Sequence, residues 1–138
     1  NTPAARAALA PFAEPRFLHQ TRAALDGELI GEWPDLTDAL PDLPKLPKQA
    51  VVRTHYHVPL TWKGSGPLRS TRHLLTPAFF RQARRAFCEV ETYTYSVLPD
   101  ALRPRPLAES IAAELRWAAQ GYGSSSSSKR NTVSPGLA

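Results

Sequence analysis

Ala50-Val-Val-Arg-Thr-His-Tyr-His-Val-Pro59 is the stretch whose reading decides the fold. It is dense in β-branched and aromatic residues and Pro59 stops it, so it reads as a β-strand over residues 50–58. Side chains on a strand alternate between its two faces. Arg53, His55 and His57 therefore share one face, and Val52, Thr54, Tyr56 and Val58 share the other. The second set suits packing against helices. The first must face something polar.

Downstream, Lys63-Gly-Ser-Gly-Pro67 reads as a loop and Thr76-Pro77 as a helix start. Phe79, Phe80, Ala83 and Phe87 then recur near the helical period, which carries a helix to about Ala86. Cys88-Glu-Val-Glu-Thr-Tyr-Thr-Tyr95 reads as a second strong strand, within residues 87–95, with Glu89, Glu91, Tyr93 and Tyr95 on one face. Pro106 to Gln120 reads as an amphipathic helix with Leu107, Ile111, Leu115 and Ala118 as its stripe and Gly121 at its C-cap. Upstream, Thr2-Pro3 opens a short helix to about Phe12, and residues 16–21 form a short strand. Leu25-Asp-Gly-Glu28 carries a turn signal, residues 35–40 make one or two helical turns, and the prolines from Pro41 to Pro47 make a stiff loop.

Strands alternating with helices at this spacing indicate βαβ units and a parallel sheet. Three such strands do not close, and an eight-stranded barrel usually needs ~250 residues. The expected fold is thus α/β: the last three βα units of a TIM (β/α)8 barrel over residues 1–121, requiring five further units, followed by a disordered Ser-rich tail over residues 122–138.

Composition narrows the function classes. The chain of 138 residues has 14 Pro, 7 Gly, no Met and a single cysteine, Cys88. One thiol excludes an internal disulfide and a cysteine-built zinc site, and Cys88, at a strand entry, is expected to be buried and inert. The chain opens at Asn1 without an initiator methionine, as a fragment or processed chain would. The net charge of +5 invites a nucleic-acid reading. However, the positive residues are scattered, and the one dense run, Arg81-Gln-Ala-Arg84-Arg85, falls on a helix face without interleaved aromatics, so nucleic acid is disfavoured. No apolar run is long enough to span a membrane and no secretory layout opens the chain, which points to a cytoplasmic protein.

Ionisable side chains facing a barrel interior are costly unless paired or bound to an ion. At the C-terminal mouth of barrel strands they are instead functional. His55 and His57 beside Glu91 form a donor set for a divalent ion such as Zn²⁺, Mn²⁺ or Fe²⁺, since imidazole nitrogen and carboxylate oxygen both suit such ions. Glu89, Tyr93 and Arg53 share those faces and are expected to contact substrate; so is His19 or Gln20, whichever points inward. The competing structural reading is a polar network in which the histidines only hydrogen-bond Glu89 and Glu91.

Phe17-Leu-His-Gln, Thr54-His-Tyr-His-Val-Pro-Leu, Glu89-Val-Glu-Thr-Tyr-Thr-Tyr-Ser-Val-Leu-Pro and Leu107-Ala-Glu-Ser-Ile-Ala-Ala-Glu-Leu-Arg-Trp together resemble the C-terminal third of the EboE family. These are bacterial metabolite-traffic proteins with a xylose-isomerase-like TIM barrel. The resemblance covers residues 10 to 120 and implies handling of a small metabolite. In the wider superfamily, the His55-x-His57 pair and Glu91-Thr92 resemble metal ligands on the last two strands. His55 stands where those enzymes use an acid, and Tyr93 where they have proline. Three functions follow as alternatives: a metal-dependent isomerase-type enzyme, a non-catalytic metabolite-binding protein, and a basic nucleic-acid module. Metal content with turnover separates the first two, and salt-dependent binding of DNA or RNA tests the third.

Overall fold

Asp26 and Gly27 both take positive φ, 51° and 92°, and make a two-residue turn of the type I′ kind. Its twist matches that of two flanking antiparallel strands, and it joins them here: β1, Thr21–Leu25, and β2, Glu28–Trp33. The third strand, β3, Val51–Thr54, pairs antiparallel with the other side of β1, so the sheet order is β2-β1-β3. The computed structural model describes residues 1–103 and 105–124. The expected Ser-rich tail falls outside them from residue 125 onward.

The antiparallel pairing overturns the parallel TIM-barrel expectation. Among the described residues the arrangement is α+β, with one small sheet and four α-helices: α1, Pro3–Leu9; α2, Leu36–Ala39; α3, Pro77–Ala83; and α4, Leu107–Ser124. The requirement for five further βα units rested on parallel order and loses its basis. Of the expected strands, residues 50–58 contain β3, but the ladder ends at Thr54; residues 16–21 are irregular apart from Thr21; and residues 87–95 contain no strand. Backbone bonding near Tyr95 is local instead, with Tyr95 N–H donating to the Thr92 carbonyl and Val97 N–H to that of Thr94.

Helix starts follow their capping chemistry. Thr2 Oγ1 accepts the Ala5 N–H at 3.1 Å with Pro3 at the first position of α1, and Thr76 Oγ1 accepts the Phe79 N–H at 3.4 Å ahead of Pro77 in α3. α4 runs through Gly121 rather than capping there. Its buried face carries Ser110, Ala113 and Glu114, while Leu107 and Leu115 of the expected stripe lie exposed.

The main core joins Phe12, Leu36, Ala39, Leu43, Leu98 and Leu102. Leu43 comes from the proline-rich loop and is fully buried, which makes that loop an ordered part of the core. Val52, Tyr56 and Val58 pack against this cluster. The alternation read from residues 50–58 thus holds beyond the end of β3, and its ionisable side is left facing outward, not into a barrel. Among the described residues no helix is long and apolar enough to cross a membrane.

Candidate functional site

The backbone leaves β3 at Thr54 still extended enough for residues 55 and 57 to project to the same side. His55 Nδ1 meets Gln20 Oε1 at 3.1 Å, and Gln20 is held close because the His55 N–H donates to the Gln20 carbonyl at 2.9 Å. His57 Nδ1 donates to Glu91 Oε2 at 2.8 Å. The two Nε2 atoms then face each other at 3.1 Å. The His57 backbone is pinned from the far side, where Thr94 Oγ1 donates to its carbonyl at 3.1 Å. Tyr93 lays its ring edge against His57, centroids 5.0 Å apart, and is itself buttressed by Phe17 at 4.9 Å.

This geometry has a chemical consequence. If Nδ1 of each ring carries the hydrogen that its acceptor requires, both Nε2 atoms present lone pairs to the same point. Two nitrogens bound to one ion at ~2.0–2.1 Å lie about 3 Å apart, so the spacing fits a shared cation. A histidine ligand whose other nitrogen donates to a carboxylate or amide is the usual outer-shell arrangement of metal sites. With the Gln20 amide turned over and both rings neutral, the same four groups form a chain that ends on the Glu91 carboxylate and in which every donor meets an acceptor. Glu91, expected as a ligand, meets the Nδ1 side of His57 rather than the point shared by the two rings. Among the described residues, no three His, Cys, Asp or Glu side chains surround one position.

The histidine pair borders a cleft of about 520 Å³ whose lining includes Glu89, Glu91 and Glu114. That volume is in the range of small-molecule sites. Glu114 is the acid that reading the sequence missed. It sits on the buried face of α4, and its Oε2 accepts the Leu60 N–H at 2.8 Å. Burial raises its pKa above the ordinary carboxylate value, and the Leu60 hydrogen bond offsets only part of that. The Leu107–Leu115 stripe masked it, because a lone Glu between Ala113 and Leu115 reads as surface.

The remaining expected residues divide. Glu89 is exposed on the wall of the same cleft. Arg53, although on the same strand face, is exposed at a different cleft. His19 is buried and acts as a brace on the backbone of His55 rather than joining the paired rings. Its Nδ1 meets the His55 carbonyl at 3.2 Å, its Nε2 meets Glu14 Oε1 at 3.0 Å, and its ring stacks on Tyr56 at 4.2 Å. The backbone N–H of His19 donates to Asp35 Oδ1 at 2.7 Å. Burial opposes ionisation of Glu14, yet the Arg16 and Phe17 N–H groups and His19 together hold its pKa below the usual value. Burial likewise opposes ionisation of Asp35, and hydrogen bonds from Thr37, His19 and Leu36 outweigh it. Burial, with a contribution from the Glu14 charge, pushes Tyr56 up to about 12. Cys88 is exposed rather than buried.

Set against known proteins, the chain matches no family model, no curated sequence and no solved structure.

Proposed function

We propose that this protein binds a divalent metal ion through His55 and His57 and uses it to hold a small, oxygen-bearing metabolite in the adjoining cleft. The observation that carries the reading is the 3.1 Å approach of two Nε2 atoms whose Nδ1 partners are both already engaged. Imidazole pairs suit Zn²⁺ and Fe²⁺ better than Mn²⁺. Glu91 and Gln20 orient the rings, and the open positions are left for water and metabolite. The ion would polarise a carbonyl or activate water. Glu114, a buried carboxyl with a raised pKa on the same cleft, supplies a group able to give or take a proton. This supports isomerase-type proton transfer over simple carriage. The reading keeps the metabolite-handling half of the EboE resemblance and drops the barrel.

Titration calorimetry with Zn²⁺ tests it directly. Wild type should take up about one equivalent, His57→Ala and His55→Ala should lose most of the binding, and Glu91→Gln should weaken it about 10- to 100-fold, as outer-shell changes do. A wild type with no affinity for Zn²⁺, Mn²⁺ or Fe²⁺ would reduce Gln20, His55, His57 and Glu91 to a hydrogen-bonded chain.

A further inference from the structure

β3 lies at one end of the sheet, and its outer edge borders a second cleft of about 520 Å³, which shares Tyr56, Val58, Ser70 and Thr71 with the histidine groove but not the histidines themselves. Residues 49 to 54 line this cleft without a break, so the strand edge itself forms one wall. Which backbone groups point into it follows from the register. Thr21 stands opposite Thr54, and the His55 N–H donates to the Gln20 carbonyl. In an antiparallel ladder the bonding direction alternates, so Arg53 and His55 turn their N–H and C=O toward β1 while Val52 and Thr54 turn theirs outward. Among the described residues, no hydrogen bond from outside the sheet reaches those outward groups.

An exposed edge of this kind is a template for another strand. The rest of the cleft says which kind. Phe12, Trp62 and Leu68 supply apolar surface, and Val52 projects toward the same core that holds Phe12. Arg6, Arg53 and Arg69 supply positive charge, and no Asp or Glu is among the lining residues. Arg53 is exposed on the opposite strand face from Val52. A strand added here would therefore present alternate side chains to an apolar floor and to a cationic rim.

We propose that the outer edge of β3 receives an extended peptide of alternating apolar and acidic residues as a fourth strand of the sheet. Main-chain hydrogen bonds to Val52 and Thr54 hold the backbone, and the alternation supplies selectivity. The strand edge lies in a different cleft from the paired histidines, and the proposal does not require a bound metal.

The test is fluorescence anisotropy with the full chain and a labelled, end-capped peptide alternating Val and Glu, at low salt. Saturable binding is expected. Methylating the peptide nitrogens that face β3 should weaken it at least tenfold, whereas methylating the intervening nitrogens should leave it within about twofold. Replacing the Glu residues with Lys should abolish it. Arg53→Glu should weaken it about tenfold with an unchanged circular dichroism spectrum, and the Lys peptide tests the same charge pairing without altering the protein. Absence of saturable binding overturns the proposal. So does equal weakening by both methylation patterns, which would indicate a generic organic-anion cleft. So does a sedimentation result in which the chain is a dimer insensitive to the peptide, which would assign the edge to a second copy.

Discussion

Glu114 holds a carboxyl group where water reaches it poorly, and its cost to the fold depends on pH. Its folded pKa lies above the ordinary 4.5 because burial penalises the charged form. Below that ordinary value the group is neutral in both states. As pH rises through the raised folded value, the native chain must hold a buried charge and loses stability. Glu114→Gln keeps an oxygen for the Leu60 N–H and removes the charge. It should raise stability at pH 7 by up to about 1 kcal/mol. The gain should vanish below about pH 4, where both side chains are neutral. Thermal unfolding of the pair at pH 7 and pH 4 reads this, and a gain that persists unchanged in acid would mean that charge is not its source. The same residue shows what could be read from sequence. The alternation of residues 52 to 58 was legible because strand parity survives even where the ladder stops. It grouped His55 with His57, and the structure brings Glu91 to the pair. Parity alone could not say which ring nitrogen each partner would meet. Nor could it separate Arg53, which shares the histidines' face but opens onto another cleft. Glu114 needed knowledge of which side of α4 is buried.

That side is set where α3 and α4 meet. Phe80 is buried there, its ring 5.0 Å from that of Tyr122 and 6.0 Å from that of Trp117. A Cβ on Gly121 would come within 2.3 Å of the Phe80 ring, closer than such atoms can pack, so the glycine is a contact point and not a helix stop. Gly121→Ala sets two effects against each other. Alanine gains about 1 kcal/mol of helix propensity over glycine, while overpacking a buried ring costs about 1–3 kcal/mol. Because Phe80 is hemmed in on both sides, overpacking should win, with a net loss of about 1 kcal/mol in denaturant unfolding; Gly121→Ala combined with Phe80→Leu should recover part of it. Stabilisation by the single change would show that the helices slide apart freely. At this scale the sequence misled for a definable reason. Residues 87–95 have strong strand character, but strand propensity is realised only against a partner, and here the backbone bonds locally instead, Tyr95 N–H to the Thr92 carbonyl and Val97 N–H to that of Thr94. Conversely, Thr21-Arg-Ala-Ala-Leu25 has little β-branching and reads as anything but a central strand. The Asp26-Gly27 turn carried the signal, since a type I′ turn demands two antiparallel neighbours.

Across the whole molecule, one buried acid network ties the N-terminal elements to the sheet and to α2. Glu14 holds the His19 ring, and Asp35, just ahead of α2, holds the His19 N–H and the Thr37 hydroxyl. Burial works against both carboxylates, yet their hydrogen bonds leave both pKa values below the ordinary 4.5 and 3.8. The sign follows directly. Between the folded and unfolded pKa values the unfolded chain binds more protons, so the stabilisation is present above the unfolded values and is lost as pH falls through the folded ones. Asp42 adds in the same direction, held down by Lys45 and the Trp33 indole, and Glu114 acts in the opposite direction. Three lowered acids against one raised acid should make the protein acid-labile overall. The unfolding temperature should fall steadily as pH drops from about 5 to about 3. Glu14→Gln should begin less stable at pH 7 and show a shallower fall, because it no longer has a proton to gain. Calorimetric scans of both proteins across that window decide the matter: parallel curves for the variant and wild type would remove Glu14 as a source of the acid lability, and a flat wild-type curve would mean that the network does not tie these elements together.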